Sequence, residues 1–153
     1  RLTPPEGINP VAFIPDFELR TAAARAALPA TVPHGDASFN VARGALLAAI
    51  LSGGAQASGG VNLHALLMEA TRDRLHQEQR RAAMEPSLAL VDWLRGAGFA
   101  AVVSGAGPTV LSLEKVGADI RRDAAGAGWR VVPLAVAASG VQITRGSLAK
   151  VEF

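Results

Sequence analysis

The chain has no cysteine and no tyrosine, and its 153 residues include no long apolar run. Without thiols it cannot form disulfides, thiolate nucleophiles or cysteine metal sites. The absence of cysteine is typical of proteins in a reducing compartment. A membrane-spanning helix needs ~18 or more consecutive apolar residues, which this sequence never reaches. These absences predict a cytoplasmic protein that does not span a membrane.

An excess of charge of one sign is also missing, because 15 Lys and Arg residues stand against 13 Asp and Glu residues, for a net charge of +2. Lysine occurs only at Lys115 and Lys150, so arginine carries almost all of the positive charge. A nearly neutral chain lacks the basic surface that nucleic acids and anionic membranes attract. Neither a nucleic acid nor a membrane is therefore expected as a partner.

Hydrophobic residues are plentiful, at 50% of the chain, which is enough to bury the core of one domain. We therefore treat residues 1–153 as a single domain. The chain opens on Arg1-Leu2-Thr3-Pro4-Pro5, which is typical of the middle of a polypeptide. We expect that an upstream part has been removed.

The first hundred residues predict one strand followed by several helices. The apolar run Val11–Phe17 is interrupted by a proline and predicts a short buried strand that bends or breaks there. An alanine-rich helix over Thr21–Leu28 should be capped by the Thr21 side chain. A longer helix should be capped by Asp36 and end near Gly53. Further helices are expected over residues 63–70 and 86–94, on either side of a charged run at 71–81.

The last third of the chain predicts mainly strands. Two apolar runs, Phe99–Val103 and Thr109–Leu113, are joined by a glycine-containing loop and predict an antiparallel pair. A helix over Lys115–Ala125 and strands over Trp129–Ala137 and Val141–Thr144 should follow. The order of elements predicts an α+β fold in which helices pack on an antiparallel sheet, most simply a ferredoxin-like arrangement with a helical elaboration.

The triplet Gly-Ala-Gly occurs three times, beginning at Gly96, Gly105 and Gly126. The first and third copies follow helices, where glycine serves as a left-handed cap. Only the middle copy lies between two strands, where glycine permits positive φ and lets backbone N–H groups turn toward an anion. An ordinary hairpin turn is the alternative for this copy. No Gly-x-x-x-x-Gly-Lys-[Ser/Thr] loop and no Gly-x-Ser-x-Gly motif is present.

The segment Val102–Leu111, with the sequence VVSGAGPTVL, closely resembles the third signature motif of GHMP kinases in the form usual for homoserine kinases. Three other segments, Pro15–Arg25, Asp36–Arg43 and Asp73–Arg80, are similar to homoserine kinase segments in the same order. The resemblance implies the carboxy-terminal half of an actinobacterial-like homoserine kinase, with the ferredoxin-like GHMP kinase C-terminal domain. The family motif Pro-x-x-x-Gly-Leu-Gly-Ser-Ser-Ala, which wraps the ATP phosphates, is absent, so the amino-terminal half would be missing.

In this family the intact enzyme transfers the γ-phosphoryl of MgATP to the hydroxyl of L-homoserine, a step toward threonine. The resemblance implies that Thr21, Arg25 and Arg80 bind homoserine, and the planar guanidinium of arginine suits a carboxylate. Arg81 could take the role of Arg80, and Glu78-Gln79 stands where the family commonly has Pro-Tyr. ATP and Mg would be bound mainly by the absent half. On this chain, the implied nucleotide-facing residues are Ser104, Gly105, Ala106, Gly107 and Thr109.

Other assignments stay open beside this one. Half of another GHMP kinase, for mevalonate or a sugar, is disfavoured because those substrates lack an amino-acid head for Arg25 and Arg80. A non-enzymatic ferredoxin-like domain that binds an amino acid is usually about half this length. The histidines show no ligand spacing for a metal, and His76 is more typical of a structural residue than of a base. A chain that forms only half of the substrate pocket should be inactive alone. The surface that would contact the missing half should be exposed and should favour self-association, so a homodimer remains an alternative.

Overall fold

The computed structural model of the chain describes residues 4–54 and 62–137. Four strands and five α-helices lie in these ranges, together with one 3-10 helix over Glu78–Ala83. Of the predicted elements, the strand Val141–Thr144 lies outside the described residues. In chain order the other elements are β1 (Val11–Ile14), α1 (Thr21–Ala26), α2 (His34–Leu51), α3 (Leu63–Ala70), α4 (Glu85–Gly96), β2 (Ala101–Val103), β3 (Val110–Ser112), α5 (Ala118–Gly126) and β4 (Arg130–Pro133).

The four strands form one sheet in the order β2-β3-β1-β4, and each neighbouring pair is antiparallel. This is the order of two interleaved βαβ units, with β2 and β3 joined as a hairpin. The long connection from β1 to β2 holds α1 to α4, whereas the connection from β3 to β4 holds only α5. The predicted ferredoxin-like fold with a helical elaboration is therefore confirmed.

One face of the sheet packs against α4 and α5 and forms the main core. Phe13 and Val110 are opposite each other in the β1–β3 register, and both are fully buried. Leu94 of α4 and Ala124 of α5 join them in the same cluster. Side chains alternate between the two faces of a strand, so a shift of β1 by one residue relative to β3 would move Phe13 to the opposite face. The burial of these side chains therefore fixes the register of the two strands.

The helical elaboration has its own small core beside the edge of the sheet. Ile50 of α2 and Leu67 of α3 are buried against each other and against Ala100, which precedes β2. The side chain of Asn62 caps α3 by accepting a hydrogen bond from the Ala65 N–H at 3.2 Å. This packing brings α2 and α3 against Ala100, the residue just before β2, the strand that leads into the glycine loop. Among the helices of the described residues, none is both long enough and apolar enough to cross a membrane.

Two predicted helix caps are wrong. The cap position of α1 is Arg20, and Thr21 is the first helical residue, with no side-chain hydrogen bond at the cap. The helix α2 begins two residues before Asp36, because Pro33 at the cap position has the φ of −60° from which a helix can start. The Asp36 carboxylate instead accepts a hydrogen bond from Arg74 at 3.3 Å. Its charge in the first turn still complements the helix dipole.

Candidate functional site

A cleft of about 640 Å³ lies between α2, the segment that follows α3, and the end of β2. Its wall combines apolar residues from α2 and β2 with polar side chains that include Asn40, Asp73 and His76. Arg80 and Gly105 are also part of the wall, so the cleft reaches the glycine loop. It is the point at which the predicted substrate residue and the predicted nucleotide loop come together.

Arg80 is a buried cation at this cleft, with only 8% of its surface exposed. Its Nε donates a hydrogen bond to the Ala24 carbonyl of α1, and its Nη1 donates one to the Gly105 carbonyl, each at 3.1 Å. A guanidinium has five N–H groups, and among the described residues these two carbonyls are its only side-chain partners. The other three N–H groups of the guanidinium therefore have no partner among the described residues.

Arg81 points in a different direction from its neighbour. Its guanidinium is paired with Glu78 at 2.7 Å and with Asp92 at 3.0 Å, and both carboxylates are more than half exposed. Of the two adjacent arginines, Arg80 is part of the cleft wall and Arg81 is not.

The segment that carries Arg80 is held by the carboxylate of Asp73. This carboxylate accepts hydrogen bonds from the backbone N–H groups of Gln77 at 2.7 Å and His76 at 2.8 Å. It also accepts from the Asn40 amide at 2.6 Å and from His76 Nδ1 at 2.8 Å. Burial acts to raise the pKa of Asp73, but the hydrogen bonds from Gln77, His76 and Asn40 outweigh burial and lower the pKa to about 2. Asp73 is therefore ionised at neutral pH.

Sequence analysis did not single out Asn40 or Asp73. Asp73 lies three and four residues before the backbone N–H groups that it binds, which is close to the spacing of a helix cap. That spacing could have indicated a capping role for Asp73, although the same spacing is common among surface turns. The contact with Asn40 had no local signal, because the two residues are 33 positions apart.

The free edge of β2 is covered by two side chains. Gln77 Oε1 accepts a hydrogen bond from the Val103 N–H at 2.8 Å. Arg95 Nη1 donates to the Ala101 carbonyl at 3.2 Å. Because β2 is an edge strand, these bonds satisfy polar groups that would otherwise lack partners. The Gln77 bond also fixes the end of β2 to the segment that carries Arg80.

The residues Ser104–Thr109 form a tight loop between the paired strands β2 and β3, as the sequence predicted. The Ser104 N–H donates to the Thr109 carbonyl at 2.8 Å and closes the loop. Gly105 and Gly107 have φ values of +60° and +85°, so glycine is required at both positions for backbone reasons. The base of the loop is held by Ser87 Oγ, which donates to the Pro108 carbonyl at 2.6 Å.

The outer side of this loop fits an anionic group. A side chain built on Gly105 would meet no atom within 4 Å, so the space beside it is open. Among the described residues, the backbone N–H groups of Gly105 and Ala106 have no backbone acceptor. Two consecutive N–H groups beside open space, in a turn with positive φ, suit a phosphate oxygen.

The structure does not bring the other two predicted substrate residues into the cleft. Thr21 and Arg25 lie one turn apart on α1, and both are exposed. Neither forms a side-chain hydrogen bond with another of the described residues. Their link to the cleft runs through the backbone of α1, whose Ala24 carbonyl binds Arg80.

Metal ligands are not clustered in the part of the chain that the structure describes, where no group of three or more His, Asp or Glu side chains could hold an ion. His64 is paired with Glu114 at 2.9 Å, and His34 lies 3.5 Å from the Ser38 hydroxyl. A divalent cation bound by this chain alone is therefore not supported by its described side chains.

The chain thus combines a ferredoxin-like sheet, a glycine loop between two hairpin strands, and a buried arginine that binds a carbonyl of that loop. Residues 46–127, more than half of the chain, match the family described as GHMP kinases C terminal. The chain belongs to this family.

Within the family the chain is similar to homoserine kinases. It is 44% identical over 144 residues to the homoserine kinase of Streptomyces avermitilis, an alignment that covers 94% of this chain and 44% of that protein. It is 43% identical over 143 residues to the homoserine kinase of Corynebacterium kroppenstedtii, which covers 92% of this chain and 43% of that protein. The chain thus spans less than half the length of these curated relatives.

The fold is shared with a crystal structure of homoserine kinase from Cytophaga hutchinsonii. The two structures superpose with a TM-score of 0.68 over 88% of this chain and 42% of that one. Their sequences are 16% identical, so the likeness concerns the fold alone.

Proposed function

We propose that this chain is the carboxy-terminal half of a homoserine kinase, an enzyme that transfers the γ-phosphoryl of ATP to the side-chain hydroxyl of L-homoserine. The observation that carries the proposal is the buried guanidinium of Arg80, held between α1 and the glycine loop at the wall of the cleft. The printed names of the relatives support the choice of homoserine. Both substrates are cytoplasmic metabolites, so a cytoplasmic location is part of the proposal.

The arrangement can position two anionic groups next to each other. The free N–H groups of Arg80 would bind the homoserine carboxylate, and those of Gly105 and Ala106 would bind a phosphate oxygen. In the reaction the homoserine hydroxyl oxygen bonds to phosphorus, the bond to the leaving ADP oxygen breaks, and the hydroxyl proton is released. Phosphoryl transfer depends mainly on such positioning and charge stabilisation. Mg, when bound, neutralises the phosphates, and we propose that the other half of the enzyme holds it.

An exposed apolar face is present on α2. Val41 is 73% exposed, and the small residues Ala42, Ala45, Ala48 and Ala49 of the same helix are exposed as well. An apolar helix face of this kind is typical of a surface that another part of a protein covers. We propose that the amino-terminal half covers it, and that a second copy of the chain competes for it when that half is missing.

Replacing Arg25 by alanine should raise the KM for homoserine far more than the KM for ATP. The resemblance implies that Arg25 binds the substrate carboxylate together with Arg80; Arg25 lies outside the cleft wall, and its guanidinium is exposed. Losing a charged hydrogen bond of this kind costs ~1.5–3 kcal/mol, so KM should rise roughly ten- to a hundredfold. The kinetics are measured in a chimera in which this chain replaces the matching part of the Streptomyces avermitilis enzyme.

The matched control is Arg20→Ala, which removes an exposed arginine next to the same helix that is not among the implied homoserine-binding residues. This control should leave both KM values unchanged. Equal kinetics in the Arg25 variant and the parent chimera would make Arg25 an ordinary surface residue. A parent chimera that releases no ADP in response to homoserine would refute the proposed function itself.

A further inference from the structure

The side chain of Asn40 on α2 uses both ends of its amide to hold the segment after α3. Its Nδ2 donates to Asp73 Oδ1 at 2.6 Å, and its Oδ1 accepts from the backbone N–H of Arg74 at 2.9 Å. The Asp73 side chain is only 13% exposed, so this contact is largely shielded from water. We call this pair of residues the Asn40–Asp73 clamp.

A continuous chain of hydrogen bonds leads from the clamp to Arg80. Asp73 Oδ2 accepts from the backbone N–H groups of His76 and Gln77. The carbonyls of those two residues accept in turn from the Arg80 N–H, at 3.3 and 3.1 Å. On its other side the segment is fixed by the Gln77 side chain, which binds the Val103 N–H of β2. The backbone of Arg80 is therefore set from two directions, by α2 and by β2.

We infer that Asn40 and Asp73 are positioning residues, which set the backbone that aims the Arg80 guanidinium at the substrate carboxylate. A binding group has to be held within roughly 0.5 Å and 10–20° of its productive geometry by its supporting contacts. Arg80 has a long side chain, so the position of its guanidinium depends on the position and direction of the Arg80 backbone. The inference rests on the proposed function, since it takes the ligand to be an amino-acid carboxylate.

The polarity of the clamp makes a strict test available. In the native chain both carboxylate oxygens of Asp73 accept hydrogen bonds. Asp73→Asn replaces one of these oxygens by an NH₂ group, so in either orientation of the new amide this NH₂ group faces another donor. Asn40→Asp places two carboxylates in contact. The reciprocal variant Asn40→Asp with Asp73→Asn restores one N–H···O bond between them in the opposite direction.

In the chimeric enzyme, we expect each single variant to raise the KM for homoserine by roughly tenfold or more, as for the loss of a charged hydrogen bond. The KM for ATP should remain within about threefold, and the reciprocal variant should recover most of the loss. Asp119→Asn is the control, because it makes the same chemical change on exposed α5, where the ion pair of Asp119 among the described residues is with Arg122. It should change neither constant.

A second measurement reads the position of Arg80 without any catalysis. In the unmodified chain, the Arg80 Nε–H should give a protected ¹⁵N resonance because it is bound to the Ala24 carbonyl. The single variants should broaden or lose this resonance, and the reciprocal variant should restore it. Single variants that lower the melting temperature but leave the resonance and the homoserine KM unchanged would show a purely structural role and overturn the inference. An inactive parent chimera would count against the proposed function only, because the resonance still decides the clamp.

Discussion

Replacing Arg80 by methionine should cause a large loss of homoserine phosphorylation. Methionine keeps the apolar stem but removes the charge, the donors for a carboxylate and the bonds to the Ala24 and Gly105 carbonyls. Truncating one partner of a buried charged pair costs ~2–5 kcal/mol. We therefore expect kcat/KM for homoserine to fall by roughly thirtyfold to several thousandfold, measured by steady-state kinetics in the chimeric enzyme.

The adjacent Arg81→Met variant is the matched control for this experiment. Arg81 forms surface ion pairs with Glu78 and Asp92, and such pairs contribute only ~0–1 kcal/mol. Its kinetics should stay within a fewfold of the parent enzyme. If Arg81→Met were the more damaging of the two, the assignment of Arg80 to the ligand would be wrong.

Replacing Gly107 by alanine should destabilise the whole domain. Gly107 has a φ of +85°, and an added Cβ would lie 2.7 Å from Met84 Sδ and 3.1 Å from Val103 Cγ1. Met84 is 1% exposed and packs with Ala24 in a third small core, so it has little room to move. Positive φ costs roughly 1–2 kcal/mol and overpacking ~1–3 kcal/mol, so the free energy of unfolding should fall by ~2–5 kcal/mol. Chemical denaturation of the chain measures this change.

Gly105→Ala separates the two causes, because Gly105 also has positive φ but has open space beside it. This variant should lose only the ~1–2 kcal/mol of backbone strain. A Gly107 variant no less stable than the Gly105 variant would mean that Met84 yields freely and that the loop is not packed against it.

The glycine loop could be predicted from the sequence because its signals are local. Two apolar runs, a short segment with Gly105 and Gly107, and a proline are all contained in residues 99–113. Positive φ at both glycines and the antiparallel pairing of β2 with β3 followed from them. The antiparallel α+β class also followed, since few topologies connect this sequence of elements without crossing.

The candidate site was only half predictable, because its geometry depends on contacts between distant segments. Arg80 and Arg81 are the same residue type at adjacent positions, and only burial against α1 and the loop separates them. The Asn40–Asp73 contact joins residues 33 positions apart and leaves no pattern in either segment. Asp36 was assigned to a cap for the same reason, since its partner Arg74 is 38 positions away.

The most direct test of the account is ATP consumption in the presence of homoserine, measured for the purified chain alone and after mixing with the part of the Streptomyces avermitilis homoserine kinase that this chain does not match. The chain alone should show no turnover, because the motif that binds the ATP phosphates in this family is absent from its sequence. Mixing should restore turnover that depends on homoserine and is not supported by mevalonate or galactose. Robust turnover by the chain alone, or turnover in the mixture with a sugar but not with homoserine, would contradict the proposed function.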